Sequence, residues 1–238
     1  MDNNFQEFLH AFNELHDVIA KKVNKEPDTH FGELMGTAAK QKDKVIETYY
    51  DKIDFYRELR NLLTHHTMND EAVALPSDAL IEEMKAITQK IKHNKKVKDL
   101  FLKKVRTFQE TDTLKDVLSV IRKKHYTQFP VFNGNKLVGI ISSIGITNYL
   151  AESMDKDITS IQQTTLKDVL AVEDDLDFYE VINQETSIFE IEEIFTKRIK
   201  EGRTAYVLLI GKNATVKSKE DLVGIVTPWD IPVIVENK

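Results

Sequence analysis

A threonine and an aspartate near the C-terminal end of the chain have the spacing of a nucleotide site. The apolar run Leu222–Val226 leads into Thr227, and Asp230 follows three residues later. The run predicts a buried strand, and the polar turn after it predicts the start of a helix. At such a junction the first backbone N–H groups are free and the helix dipole favours anions. The Thr227 hydroxyl and the Asp230 carboxylate could therefore hold the two hydroxyls of a ribose.

The same pattern recurs upstream in a weaker form. The apolar run 137–141 leads to Ser142, which takes the place of Thr227, whereas Gly145 takes the place of Asp230. Around both runs the order of predicted elements is the same: a short helical lead-in, then strand, helix, strand, strand and helix. The sequence therefore predicts an internal repeat, which would set the whole architecture of this part of the chain.

This repeat resembles the cystathionine-β-synthase (CBS) domain, and the two copies resemble a tandem CBS pair over residues 97–238. The second copy follows the family's motif of glycine, two apolar residues, threonine, two further residues and aspartate, from Gly224 to Asp230. The resemblance implies an α+β protein, with an all-α helical bundle over residues 1–96 and two βαββα repeats over 97–158 and 159–238. It also implies a homodimer and clefts that bind adenosyl ligands such as AMP, ATP, S-adenosylmethionine or cyclic di-AMP.

The resemblance assigns roles to further residues. In the second copy, the slot for the base would be lined by Val181, Ile182, Thr204, Ala205 and Tyr206. In the first copy, the matching places are taken by Val105, Tyr126, Gln128 and Phe129, with Ser142 for the threonine. The nearest candidate cations for the phosphates are Arg203, Lys124, Arg122 and Arg106.

The missing aspartate makes the two clefts unequal. With Gly145 at that place, ribose binding loses charge-assisted hydrogen bonds, each worth about 1.5–3 kcal/mol. We therefore expect one occupied cleft per chain, at Thr227 and Asp230. A purely structural explanation is also open: Asp230 could cap the last helix, Thr227 could satisfy local backbone groups, and the pair could serve as a dimerisation scaffold without a ligand.

The N-terminal part carries a second candidate site, on a predicted helix over about 37–65. Asn61 and His65 are four residues apart and share a stripe, and the Arg60 side chain can reach back over it. A histidine beside a cation and an amide could act as an acid or base next to a phosphate. Equally, these residues could be a polar helix end, where Arg60 pairs with Glu58 or Asp54 and the dipole favours His65.

The segment 59–65 resembles the Arg-polar-x-x-x-His motif of HEPN domains, which are small helical bundles. The resemblance implies catalytic roles for Arg60, Asn61 and His65, since many members are metal-independent RNases whose Arg and His meet across a homodimer cleft. Other members bind nucleotides or partners without known catalysis. One departure is Thr67, which stands where the branch acting with a partner nucleotidyltransferase often has tyrosine.

Composition narrows the class of protein. The 238 residues are 41% hydrophobic and 30% charged with a net charge of -6, which argues against a bulk basic surface for nucleic acid. The chain has no cysteine, so disulfides and cysteine-based metal sites are excluded. The N-terminal residues lack a signal-peptide pattern and no run is long enough to span a bilayer, so we expect a cytoplasmic protein without a membrane partner. The scattered histidines predict no metal site.

Three functions remain open at this stage. The first is a regulatory protein that senses an adenine nucleotide or cyclic dinucleotide through the CBS pair and relays it to the helical domain. The second is a ligand-gated, metal-independent RNase that uses Arg60 and His65. The third is a structural dimer that docks an RNA or protein partner through its helices.

Overall fold

The computed structural model describes residues 3–65, 67–68, 71–72, 74–172, 178–203 and 206–238. The chain divides into two compact units, the first ending at Lys95 and the second spanning Lys96–Asn237. The fold class is α+β, as the sequence predicts: helices dominate the first unit, and the second combines helices with two small mixed sheets.

The first unit is built from helices, with one short hairpin. Its elements are α1 (Asn3–Lys22), α2 (Phe31–Gln41), α3 (Lys44–Thr48), α4 (Tyr50–His65), β1 (Thr67–Met68), β2 (Glu71–Ala72) and α5 (Asp78–Lys92). The strands β1 and β2 pair antiparallel.

The single helix expected over 37–65 is wrong, because the chain forms three helices between Phe31 and His65. Lys42 takes a left-handed conformation that ends α2, and its N–H is satisfied by carbonyls of the preceding turn. Asp43 then starts α3 by accepting hydrogen bonds from the N–H groups of Val45 and Ile46. The helical spacing of apolar residues continues on both sides of this break, so the spacing alone did not predict where the helix ends.

The core of the first unit forms where the apolar faces of its helices meet. The apolar spacing of three and four along α1 gives a continuous buried stripe that packs against α5. Fully buried side chains of this core include Phe8, Leu15, Ile19, Leu34, Ile53, Tyr56, Leu63 and Ile81.

The second unit contains two copies of one arrangement. The first copy comprises α6 (Val97–Phe101), β3 (Phe108–Gln109), α7 (Leu114–Lys124), β4 (Gln128–Asn133), β5 (Lys136–Ser142) and α8 (Ser143–Glu152). After α9 (Ile158–Gln163), the second copy comprises α10 (Leu166–Leu170), β6 (Tyr179–Asn183), α11 (Ile188–Lys200), β7 (Val207–Gly211), β8 (Leu222–Val226) and α12 (Ile231–Glu236). Two 3₁₀ turns, Lys219–Asp221 and Pro228–Asp230, flank β8.

The two sheets have the same topology and the same irregularity. In the order β3-β4-β5 and β6-β7-β8, the first pair is parallel and the second antiparallel. Gly139 faces Val131 in the first sheet, and Gly224 faces Ile210 in the second, with the register shifting directly after Val131 and Ile210. The register therefore matches the copies residue by residue.

The short helical lead-in of each copy, α6 or α10, is hydrogen-bonded to the other copy. The N–H groups of Val97 and Lys98 donate to the carbonyls of Thr186 and Gln184, at 2.9 and 3.1 Å. Symmetrically, the N–H groups of Leu166 and Lys167 donate to Asp112 and Glu110, at 2.9 and 3.0 Å. The helix α6 accordingly packs against β8, and α10 packs against β5. This exchange makes the two copies one interlocked body.

A core shared by both copies lies between the sheets. Phe132 and Ile140 of the first sheet pack with Val207 and Leu209 of the second. A separate core belongs to the first copy and includes Leu166, which α10 of the second copy supplies. Because side chains of both copies are buried together, neither copy can bury its apolar surface alone.

Candidate functional site

Thr227 and Asp230 lie side by side directly after β8. One carboxylate oxygen of Asp230, Oδ2, accepts the Thr227 N–H at 2.8 Å and the Thr227 hydroxyl at 3.0 Å. Both residues are half-buried. Within the described part of the chain, no group donates to the second oxygen, Oδ1. The pair is thus a capping box, in which the Thr227 side chain faces the Asp230 N–H, and the acceptor that it leaves unused is Asp230 Oδ1.

The helix start does not supply the free N–H groups that the sequence predicted. The N–H of Thr227 is used by Asp230, and the N–H of Asp230 donates to the Thr227 carbonyl at 2.9 Å. Pro228 and Pro232 have no N–H, and α12 is only six residues long. The helix start therefore offers an anion fewer backbone donors than the sequence predicted, because two prolines and the capping box remove several of them.

The register adds two residues to the site that the sequence analysis missed. Val226, the residue before Thr227, pairs with Leu208. The next row of the sheet, on the side of Thr227, therefore contains Val207 and its partner Tyr179. Counted from the matching glycines, Tyr179 corresponds to Val105 and Val207 corresponds to Gln128. Tyr179 and Val105 both pack against the shared core. Sequence spacing could not have identified Tyr179, because it lies 45 residues before Gly224, whereas Val105 lies 34 residues before Gly139.

Val181 and Ile182 do not line one common slot. Successive side chains of a strand point to opposite faces. Val181 packs against the shared core between the sheets, whereas Ile182 is buried outside that cluster. At most one of the two can face a base at this edge of the sheet. Thr204 and Ala205, the other two predicted slot residues, lie outside the described residues.

Tyr206 belongs to a hydrogen-bonded cluster. Its side chain is 2% exposed, and its hydroxyl donates to Glu180 Oε2 at 3.1 Å. Arg198 donates to the same oxygen at 3.0 Å and lies over the tyrosine ring, 4.7 Å from its centroid. Burial, and then the negative charge of Glu180, raise the pKa of Tyr206 to about 12. Since Glu180 and Glu201 both bind Arg198, its charge is neutralised within the protein.

Tyr206→Phe should cost about 1.5 kcal/mol of unfolding free energy at neutral pH, because one hydrogen bond to a charged group is lost. The wild-type phenol has a folded-state pKa above its unfolded value of about 10. Its stabilisation is therefore complete below pH 10 and is lost as the pH rises towards 12. Urea unfolding of both proteins across this range should show their difference shrinking, and a constant difference would contradict the assignment.

In the first copy, the last strand, β5, ends in a serine cap and not in a threonine–aspartate pair. Ser142 is buried, and its hydroxyl oxygen accepts the N–H of Gly145 at 2.9 Å. Gln128 pairs with Ser142 across the strands and is half-buried, whereas Tyr126 is 51% exposed. No carboxylate occupies the position of Asp230, since Gly145 stands there. The Ser142 hydroxyl is thus used as a helix cap.

The predicted cations occupy different elements. Arg122 and Lys124 lie in the last turn of α7, and Arg203 follows α11. Arg106 lies over the ring of Phe108, 4.9 Å from its centroid. None of these side chains shows a hydrogen bond to Thr227 or Asp230 among the described residues.

In the first unit, Arg60 and Asn61 line a cleft, and His65 does not. Arg60 Nη1 donates to Asn61 Oδ1 at 3.3 Å, while His65 is exposed at the last residue of α4. The expected pairing of Arg60 with Asp54 or Glu58 is wrong, because Arg57 binds both acids. One chain therefore does not bring the three residues of the motif into one cleft.

Comparison with known proteins defines part of the second unit. Residues 97–152 match the CBS domain family. The first copy is thus similar in sequence to the CBS domain, and the register above shows the same arrangement of strands in the second copy. Among the described residues, no helix is long and apolar enough to cross a membrane, and no cluster of three or more His, Asp or Glu side chains is placed to hold a metal.

Individual relatives are distant. An uncharacterized protein of Methanocaldococcus jannaschii is 26% identical over 145 residues, which are 61% of this chain and 41% of the relative. The chain thus matches about two fifths of that relative's length.

Solved structures with a similar arrangement are also distant. The CBS domains of a transcriptional regulator from Streptococcus pneumoniae are 22% identical, with a TM-score of 0.40 over 60% of this chain and 98% of theirs. CBSX2, solved with AMP, is 17% identical, with a TM-score of 0.43 over 60% and 96%. A CBS domain pair solved with 5′-methylthioadenosine and S-adenosyl-L-methionine is 17% identical, with a TM-score of 0.42 over 60% and 97%.

Proposed function

We propose that the second unit is a regulatory sensor that binds one adenosyl ligand at the end of β8. The observation that carries the proposal is the pairing of Thr227 with Asp230, which leaves Asp230 Oδ1 as an acceptor next to the Thr227 hydroxyl. A ribose presents two neighbouring hydroxyl donors. Each hydroxyl bound to the carboxylate would contribute about 1.5–3 kcal/mol as a charge-assisted hydrogen bond.

The proposal places one ligand in each chain. In the first copy, the oxygen of Ser142 accepts the Gly145 N–H, and glycine stands where the second copy has the Asp230 carboxylate. In the second copy, half-buried Tyr179 lies in the sheet row next to Thr227 and would contact the base, whereas Val207 in the same row is buried in the shared core. Because backbone donors are few at this helix start, phosphates would depend on side-chain cations such as Arg203. A ligand with few or no phosphates suits this site best.

Ligand binding would act on the helical unit by shifting a population. A ligand changes a conformational equilibrium only through its different affinities for the two states. The interlocked lead-ins α6 and α10 connect the ends of the two copies, so a change at one copy reaches the other. We propose that this change alters how the helical unit presents itself to a protein or RNA partner.

We also propose that the chain forms a homodimer through the second unit. The helices α8 and α12, which follow the last strand of each copy, carry exposed apolar side chains, among them Ile144 and Val233. Trp229, beside α12, is 89% exposed, and Met154, just after α8, is 82% exposed. Exposed large apolar side chains on the corresponding helices of both copies favour an interaction surface there.

RNase activity through Arg60 and His65 gains no support from one chain, because His65 lies outside the cleft that Arg60 lines. Such a site would need a second chain to supply the histidine. The sensor is therefore the function that the geometry supports best, and a scaffold without ligand is the outcome that remains if the sensor fails.

Thermal unfolding and native mass measurement with AMP, ATP, S-adenosylmethionine, 5′-methylthioadenosine and cyclic di-AMP test the proposal. At about one hundred times its dissociation constant, the right ligand should raise the unfolding free energy by about 2.7 kcal/mol. The native mass should show two chains and one ligand for each chain. No response to the whole set would leave the scaffold as the better explanation.

A further inference from the structure

The first unit contains an open cleft that we call the helical cleft. Its volume is about 770 Å³, and it lies between α1, α2, α4 and the loop that leads into α2. Small-molecule sites typically occupy about 300–1,000 Å³, with an apolar floor and a few polar groups. The floor here consists of buried Phe12, Phe31 and Met35, and the rim carries charged and amide groups. The size and lining fit a small molecule.

Two glycines leave open space in the lining of the cleft. Gly36 lies within α2, and a Cβ atom built there would meet no other atom within 4 Å. Gly32, also on the lining, has the same free space. Glycine is a poor helix former, and neither close packing nor a left-handed conformation requires it here. The absence of a side chain at Gly36 therefore leaves the cleft open.

The charges on the rim favour a ligand with one group of each sign. Arg57 is neutralised by Asp54 at 2.7 Å, but within the described residues no carboxylate pairs with Arg60. Asp17 faces only a His16 nitrogen at 3.8 Å, and Asp28 has no partner there. One available cation beside two available acids would repel a phosphate dianion. A zwitterion could satisfy both signs.

The floor adds a preference for an aromatic group. Phe12 and Phe31 stack with their ring centroids 5.2 Å apart, and His16 stacks on Phe31 at 5.6 Å. The His16 ring is held by a 3.0 Å hydrogen bond between Nε2 and the Thr29 carbonyl. Aromatic rings in this arrangement provide a fixed surface on which a further ring can stack.

We propose that the helical cleft binds a small zwitterion with an aromatic side chain, either a free amino acid or a dipeptide. Arg60 and Asn61 bind its carboxylate, Asp17 and Asp28 bind its ammonium group, and its ring lies on Phe12 and Phe31. This site is independent of the nucleotide site proposed above, because it uses only residues of the first unit.

Calorimetric titration of the full chain with L-phenylalanine, L-tyrosine, L-tryptophan and the dipeptide of two phenylalanines tests the proposal. At least one should bind. Its amide, which lacks the carboxylate, and its N-acetyl form, which lacks the ammonium group, should each bind about tenfold more weakly or worse. No binding by any of the four, or equal binding of the neutralised analogues, would overturn the proposal.

Two variants separate the cleft from general effects on folding. Gly36→Leu fills open space and replaces a poor helix former with a good one, so it should abolish binding without lowering the unfolding temperature. Arg60→Gln should remove the preference for the free acid over the amide while leaving the ammonium preference. Binding that survives Gly36→Leu would place the ligand elsewhere. Asp230→Ala should leave this binding unchanged, whatever it does to nucleotides.

Discussion

Asp230→Ala should remove at least half of the stabilisation that an adenosyl ligand gives to this protein. The carboxylate is the only charged group paired with Thr227 in the described structure, and no described group donates to its oxygen Oδ1. Loss of one or two charge-assisted hydrogen bonds weakens binding about tenfold to more than a hundredfold. At a ligand concentration one hundred times the wild-type dissociation constant, the gain in unfolding free energy should therefore fall from about 2.7 kcal/mol to about 1.4 kcal/mol or less.

The same substitution also removes a helix cap, so it needs matched controls. The loss of a cap costs about 1 kcal/mol without ligand. Asp221 forms an equivalent box with Ser218, whose N–H and hydroxyl donate to Oδ2 at 2.9 and 3.1 Å, on the other 3₁₀ turn of the same copy. Asp221→Ala should therefore show the cost in stability but keep the full ligand response. Equal ligand responses in the two variants would argue against a role for Asp230 in binding.

Gly224→Ala should destabilise the second unit by about 3 kcal/mol, at the upper end of the range for overpacked sites. A Cβ atom at this position would lie 2.5 Å from the carbonyl oxygen of Phe101 and 2.7 Å from Ile210 Cδ1. The oxygen is backbone of the exchanged lead-in α6, whose end is also held by a 3.1 Å bond from the Lys103 N–H to the Val223 carbonyl. The lead-in would have to move away from β8.

Gly139→Ala provides the matched control for this prediction. At the corresponding place in the first copy, the new Cβ would meet the end of the Leu170 side chain at 3.0 Å. A leucine side chain can rotate, so we expect a loss below about 1 kcal/mol. Chemical denaturation followed by circular dichroism would compare the two variants. Similar losses would mean that the exchanged lead-in α6 does not restrict Gly224 more tightly than α10 restricts Gly139.

The repeat was visible in the sequence because its signals are local. Apolar β-branched runs, a sheet glycine and hydroxyl residues at helix starts each depend on neighbouring residues, and both copies show them in the same order. The α+β class and the likeness of residues 97–152 to a CBS domain followed from that order and were confirmed. The spacing of Thr227 and Asp230 also predicted that the two side chains would lie together, and their hydrogen bonds confirm it.

The errors share a different cause, since each depends on contacts between residues distant in sequence or on exact register. The break at Lys42 interrupts a periodic apolar pattern that continues on both sides of it. The place of Tyr179 beside Thr227 follows only from the pairing of β6 with β7 and of β7 with β8. A one-residue change in register moves a side chain to the other face, so sequence spacing could not separate Val181 from Ile182.

The sequence by itself determined the duplicated unit and the pairing of Thr227 with Asp230 at its end, because both depend on residues only a few positions apart. Only the tertiary structure decided that each lead-in is bonded to the other copy, that two prolines and a capping box leave few donors at the last helix, and that Arg60 lines a cleft that His65 does not. The physical reason is that hydrogen-bond partners, and the space left between helices, are set by segments that meet only when the chain has folded.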